Sequence, residues 1–188
     1  MKNYNLLILL ITSSLVSLSA FSAHHEELSP TKIGEVAITE TAHSPGFTEM
    51  AKMVGKWEGK LTQFTGVVID VSSDFKLVSG GNLITETLVE DGVEMLTTYS
   101  DNKDGNLVVK HYCALGTQPV FTASKVAKDM VAVSLDTTQG GYHPEHHSYV
   151  NSMMWTVDSV EGTSAIVNST LYIDGTLVEQ QAVISRVN

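Results

Sequence analysis

From residue 56 to the end of the chain, hydrophobic and polar residues alternate with a period of two. Turn-forming residues interrupt this alternation roughly every ten positions, which is typical of antiparallel strands with one face on a core. Asp91-Gly92, Asp174-Gly175 and Gly80-Gly81 supply the positive φ that tight hairpins need, and Asp104-Gly105 closes a longer turn. The pattern predicts ten strands, at 56–64, 67–77, 82–90, 93–100, 106–114, 119–126, 130–137, 148–157, 163–173 and 176–186.

A short helix is predicted just before the first strand. Ser44-Pro45 offers an N-cap hydroxyl followed by proline at the first helical position. Apolar residues then recur on one helical face, at Phe47, Met50, Ala51 and Val54. Ten antiparallel strands joined mostly by short turns predict an all-β fold, an up-and-down barrel with this helix as a plug, and a two-sheet sandwich is the alternative.

The first 22 residues have the pattern of an export signal. Lys2 supplies the positive charge, residues 6–18 form the apolar core, and Ala20-Phe21-Ser22 places small residues at both cleavage-recognition positions. The apolar run is too short to favour a membrane anchor. We therefore expect a signal peptide at 1–22, a mobile polar leader at 23–43 and a barrel domain at 44–188, located in the periplasm or outside the cell.

Charge limits the classes of partner that the chain can bind, and the cysteine count limits how its fold can be stabilised. The net charge is −10, and the eleven basic residues are scattered singly along the chain. Because no basic stripe is present, nucleic acid and anionic membrane surfaces are not expected as partners. The single cysteine, Cys113, permits no internal disulfide, so the core must stabilise the fold. We expect a monomer or a weak homodimer.

The alternation also indicates which side chains face the interior. Lys110 marks the outer face of its strand, which turns His111 and Cys113 inward together with Leu107 and Val109. The interior is then apolar with a few polar groups, as in small-molecule sites. We predict an exported binding protein for a small, largely apolar ligand, with no catalytic residue and with a pocket or rim formed by Met95, Thr97, Tyr99, His111, Cys113 and Gln118.

Two other functions fit the same residues. His111 and Cys113 stand two apart, about 7 Å along a strand, and the loop at 142–147 adds His146 and His147. These four side chains offer the nitrogen and sulfur donors that Zn²⁺ prefers, so a zinc-binding protein or a metal-dependent enzyme is one alternative. A Cys113 nucleophile with His111 as its base lacks an identifiable group to orient the imidazole. The other alternative is an interaction module that uses its acidic exterior and holds no ligand.

Residues at the two ends of the predicted barrel resemble those of lipocalin-like proteins. Gly55-x-Trp57 opens the first strand, and Arg186, the only arginine, closes the last. The resemblance implies that the Arg186 guanidinium lies over the Trp57 indole and closes one end of the barrel. Glu145-His146-His147 resembles a patch of an uncharacterised bacterial lipocalin-like (calycin) family. That family's strand motif is similar to the run His111-Tyr112-Cys113-Ala114-Leu115-Gly116-Thr117-Gln118-Pro119, with threonine at 117 in place of asparagine.

More remotely, Gly55-x-Trp57-x-Gly59 is similar to the opening of nitrobindin-type and fatty-acid-binding-protein-type barrels of ten strands. The nitrobindin haem is held by a histidine near the C-terminus. This chain has no histidine after His147, so the resemblance does not extend to a haem ligand. Zinc therefore remains the cofactor that the sequence leaves open, and haem is not expected.

Overall fold

The computed structural model describes residues 32–38, 41–158 and 160–187. The predicted signal peptide at 1–22 lies outside these residues, as do residues 23–31 of the predicted leader. Within the leader, β1 (Lys32–Ile33) and β2 (Val36–Ala37) form a small exposed hairpin that the sequence pattern did not predict. Among the described residues, no helix is both long and apolar enough to cross a membrane.

The predicted helix forms as α1 (Pro45–Met50) and continues into a short 3₁₀ turn (Ala51–Met53). The Ser44 hydroxyl accepts a hydrogen bond of 3.0 Å from the Phe47 N–H, and so caps the helix as its sequence predicts. Phe47 is buried against the barrel with the two methionines of this segment, Met50 and Met53. The helix therefore packs on the core through its apolar face.

All ten predicted strands are present, and they close into one antiparallel barrel. Each strand pairs with the next along the chain, and the last strand pairs with the first, with Arg186 opposite Trp57 and Gln181 opposite Thr62. The barrel confirms the predicted all-β fold and excludes the sandwich. Its strands are β3 (Gly55–Thr62), β4 (Val68–Val78), β5 (Leu83–Glu90), β6 (Val93–Asp101), β7 (Leu107–Tyr112), β8 (Val120–Ala127), β9 (Met130–Leu135), β10 (Tyr149–Val157), β11 (Ser164–Ile173) and β12 (Thr176–Arg186).

The barrel has two different ends. At the closed end, α1 packs against β6, β8 and β9, beside the turns at 79–82, 102–106, 128–129 and 158–163. At the open end lie the turns at 63–67, 91–92, 113–119, 136–148 and 174–175. Large, fully buried side chains fill the interior, and they include Trp57, Phe75, Tyr99 and Phe121.

The Arg186 side chain lies across the closed end. Its guanidinium carbon is 4.4 Å from the centre of the Trp57 ring. Nη1 donates to the Val54 carbonyl at 2.6 Å, Nη2 to the Lys52 carbonyl at 2.7 Å, and Nε to the Gly162 carbonyl at 3.3 Å. One cation thus connects the last strand, the end of the 3₁₀ turn and the turn at 158–163.

Gly55 and Gly59, on either side of Trp57, must be glycine for different physical reasons. A Cβ on Gly59 would lie 2.0 Å from the Val183 carbonyl oxygen, so β3 and β12 can approach this closely only at glycine. Gly55 has a φ of +127°, and a Cβ there would lie 2.5 Å from Nη1 of Arg186. The Gly-x-Trp-x-Gly spacing therefore serves both strand pairing and the placement of the arginine.

Candidate functional site

Open space in the barrel lies between its packed core and the open end. An inner cavity of about 60 Å³ lies beside a wider crevice of about 440 Å³ at the open end. Glu90, His111, Val150 and Gln180 line both spaces, so the two are adjacent. The inner cavity has room for a few waters, whereas the crevice has the size of a small-molecule site.

The crevice has a mainly apolar wall with a few polar groups. Its polar groups include Glu90 and Asp91, from the end of β5 and the following turn, and His111 and Cys113, from the end of β7 and the turn after it. Such a lining suits a ligand with an apolar body and one or two polar atoms. The apolar wall comes from Phe64, Val67, Ile69, Val93, Met95, Leu115, Leu171 and Ile173.

A row of polar side chains crosses the inner face of β5, β6 and β7. Glu86 pairs with Thr97 and Thr97 pairs with His111, so the three side chains are neighbours. Thr97 Oγ1 lies 2.9 Å from Nδ1 of His111. The buried Glu86 carboxylate accepts from the Tyr99 hydroxyl at 2.5 Å and from the Ser73 hydroxyl at 2.7 Å. Cross-strand register thus assembles this network from four neighbouring strands, with Ser73 contributed by β4.

Burial shifts the pKa of Glu86, Glu90 and His111. Desolvation raises the pKa of Glu86, although hydroxyl hydrogen bonds oppose the shift. Desolvation also raises the pKa of Glu90, and the nearby Glu86 charge adds to that rise. The pKa of His111 falls from 6.5 to about 4 because its ring is desolvated. At neutral pH the His111 imidazole is therefore uncharged, and the site contains carboxyl groups but no protonated histidine.

The second nitrogen of the His111 ring faces the open space. Among the described residues, every buried side-chain nitrogen or oxygen atom has a hydrogen-bond partner, and no described group bonds Nε2. Nε2 is therefore on the cavity surface, although His111 as a whole is only 3% exposed. The geometry between Thr97 Oγ1 and Nδ1 of His111 allows either atom to be the donor. In the tautomer that carries its hydrogen on Nδ1, His111 donates to Thr97 and presents Nε2 to the open space as an acceptor.

The structure brings some of the predicted ligand residues together and separates others. Met95, Thr97, His111 and Cys113 line the inner cavity or the crevice. Tyr99 does not line either one, because it is completely buried against Glu86. Gln118 does not line either space: its side chain is exposed, and its backbone N–H donates to the Tyr142 hydroxyl at 2.7 Å.

The four predicted zinc ligands are not brought together. His111 lies inside the barrel, whereas His146 and His147 are exposed in the loop at 136–148, and Cys113 is at the crevice. The Tyr142 ring of that loop stacks on Tyr149 with ring centres 5.3 Å apart. Within the described part of the chain, no three histidine, cysteine, aspartate or glutamate side chains form a group that could hold a metal ion.

Glu86 and Glu90 were not among the predicted site residues, although the sequence holds a signal for them. The strand Leu83–Glu90 has no clearly apolar face, so its alternation alone does not orient it. The two-residue Asp91-Gly92 turn, however, pairs Glu90 with Val93 and hence Glu86 with Thr97. Because directly paired residues share a face, the inward prediction for Thr97 also places Glu86 inward.

The eighth barrel strand, β10, has apolar residues on both faces, and the sequence did not orient it. A β-bulge between Val150 and Ser152 explains this pattern. One extra residue shifts the alternation, so that Val150, Met153 and Trp155 all line the inner cavity. The site therefore gains an apolar wall that period-two reasoning does not find.

Comparison with known proteins shows the fold alone. No protein family matches the chain, and no curated protein matches it either. A protein of unknown function from the DUF3598 family of Nostoc punctiforme has a TM-score of 0.51 and 12% identity, over 73% of this chain and 49% of that chain. This chain thus spans about half the length of that protein.

Two further structures are similar over most of the chain. A redesigned β-barrel has a TM-score of 0.38 and 11% identity, over 79% of this chain and 100% of that one. EF1p2_mFAP2b bound to DFHBI has a TM-score of 0.40 and 13% identity, over 76% of this chain and 99% of that one. The strand pairing itself makes this protein a closed ten-stranded antiparallel β-barrel, and the DUF3598 protein is similar to it in fold.

Proposed function

We propose that this protein is an exported lipocalin-like barrel that binds a small, largely apolar molecule at its open end. The crevice of about 440 Å³ carries this proposal, because its apolar wall meets the free Nε2 of His111 at the inner cavity. Apolar burial contributes roughly 25 cal/mol per Å² of ligand surface. One or two polar contacts then fix the orientation of the ligand. No covalent chemistry is needed for this function.

The distribution of open space favours ligand binding over a role for the exterior alone. A barrel completely filled by large side chains would fit a surface interaction module better. Here Trp57, Phe75 and Tyr99 help to fill the interior, but the open end keeps its crevice. The N-terminal pattern of residues 1–22 supports export. N-terminal sequencing of protein from a periplasmic fraction tests export separately, with Ala23 expected as the first residue.

Two neighbouring residues of β6 provide a matched test of ligand binding. Met95 lines the crevice and is 8% exposed, whereas Leu96 faces outward and is 40% exposed. We expect Met95→Trp to fill the crevice and weaken binding of the neutral dye Nile red at least about tenfold, because overpacked sites exclude their ligand. The control Leu96→Trp should bind as wild type does. Fluorescence titration measures both, and equal affinities or no wild-type binding would contradict the proposal.

A further inference from the structure

The charged side chains around the two cavities all have the same sign. Glu86, Glu90 and Asp91 contribute carboxyl groups, and no lysine or arginine is among the described residues that line either space. The sole arginine, Arg186, is held at the closed end by the Val54 carbonyl and other backbone oxygens. An anionic ligand head would therefore meet carboxylates with no cation to balance them.

Glu90 is the carboxylate best placed to contact a ligand. It lines both the inner cavity and the crevice, and it pairs with the buried Val71 on the neighbouring strand. No hydrogen-bond donor for its carboxylate is found among the described residues, in contrast to Glu86, which is bonded by Tyr99 and Ser73. A partly desolvated carboxylate without donors favours a ligand that supplies them.

His111 provides a second acceptor on the same surface. The residue is only 3% exposed, and Nδ1 is hydrogen-bonded to the Thr97 hydroxyl. The remaining nitrogen, Nε2, is on the cavity surface, and it accepts a hydrogen bond in the tautomer that carries its hydrogen on Nδ1. Because His111 and Glu90 line both spaces, a donor-rich head group at their junction can reach acceptors while its apolar body stays in the crevice.

We propose that the ligand is an apolar primary amine, with its ammonium group at Glu90 and His111 and its hydrocarbon body in the crevice. This inference rests on the proposed function and names the chemical class of the ligand. An ammonium group has three donors, which suits a carboxylate and an imidazole nitrogen together. Its hydrogen bond to Glu90 is charge-assisted and hence stronger than that of an alcohol.

Three ligands with the same chain length separate the classes of head group. Isothermal titration calorimetry at neutral pH compares octylamine, octanol and octanoate. We expect octylamine to bind at least about tenfold more tightly than octanol, because hydrogen bonds to charged groups are the stronger class. Octanoate should bind at least about tenfold more weakly than octanol. The wild-type series tests the inference alone, even if a variant does not fold.

A pair of glutamate variants locates the effect. Glu90→Gln should remove the preference for octylamine and leave octanol affinity within about twofold, because the apolar contacts remain. Glu94→Gln makes the same charge change at an exposed position of β6 near the same end of the barrel, and should keep the preference. An equal preference in both variants would show general attraction by the acidic surface, and would overturn the inference.

The outcomes also separate this inference from the proposed function. Octanol binding without tighter octylamine binding overturns the amine assignment and leaves a barrel that binds apolar molecules. Tighter binding of octanoate than of octanol has the same meaning. Failure of all three ligands, together with failure of Nile red, overturns the proposed function itself.

Discussion

Removal of the Arg186 side chain should destabilise the barrel by disconnecting its closed end. In Arg186→Ala the carbonyls of Val54, Lys52 and Gly162 lose their donors, and the Trp57 ring loses the cation 4.4 Å from its centre. The strand pairing of β12 with β3 remains, because it is made by backbone groups. We therefore expect lower stability with the same fold.

The size of the effect follows from these contacts. The two short hydrogen bonds come from a charged donor at a partly exposed position, so each contributes about 1.5 kcal/mol, the low end for such bonds. The cation–π contact adds about 0.5 kcal/mol, and freeing the arginine side chain returns up to about 2 kcal/mol of entropy. The net loss is then about 1.5 kcal/mol, which lowers the Tm of a domain of this size by about 3–6 °C.

The assay is thermal unfolding followed by circular dichroism, with two comparison variants. Lys103→Ala removes the same charge from an exposed turn and should leave the Tm within about 1 °C, as is usual for a surface change. Arg186→Lys keeps the charge but lacks the planar guanidinium, so its Tm should lie between those of wild type and Arg186→Ala. If Arg186→Ala has the same Tm as Lys103→Ala, the closed-end contacts do not stabilise the barrel.

Three further predictions concern the interior. The pKa of His111 is lowered to about 4 in the folded state. The stability contributed by its neutral imidazole is therefore present above pH 6.5 and is lost as the pH falls towards 4, by up to about 3 kcal/mol. Urea unfolding of His111→Asn should lack this loss, and a variant with the same pH profile as wild type would contradict the shift. Gly59→Ala should destabilise by at least about 3 kcal/mol in urea, because its Cβ meets the Val183 carbonyl, whereas Thr62→Ala on the exposed face should change little. Burial raises the pKa of the Cys113 thiol, so less of the reactive thiolate is present at pH 8. Iodoacetamide should therefore modify Cys113 more slowly in the folded than in the urea-unfolded protein, and equal rates would contradict this.

The barrel was largely predictable because its signals are local. Strand positions follow from alternation and from turns such as Asp91-Gly92 and Asp174-Gly175, whose four residues all have positive φ in the structure. The helix start follows from Ser44-Pro45. Closure was not decided locally, because the pairing of β12 with β3 joins residues far apart in the chain. A sandwich therefore remained an alternative until the register was known.

The site was predicted only in part, for reasons of packing. Inward positions on clearly amphipathic strands, such as Met95 and His111, line the open space. Tyr99 was predicted to line the pocket because alternation shows which side chains face inward. Alternation does not show whether an inward side chain reaches the open space, and Tyr99 is instead buried against Glu86. The histidines at 146 and 147 belong to a loop, whose position relative to the barrel has no periodic signal.

Native mass spectrometry of the protein, purified without a histidine tag, tests directly whether the open-end crevice holds a ligand. Spectra recorded before and after denaturation are compared for wild type and Met95→Trp. We expect native wild-type protein to carry the added mass of a small organic molecule, which is lost on denaturation and is absent from Met95→Trp. A wild-type spectrum without added mass, or an added mass that Met95→Trp retains, would contradict a ligand site in the open-end crevice.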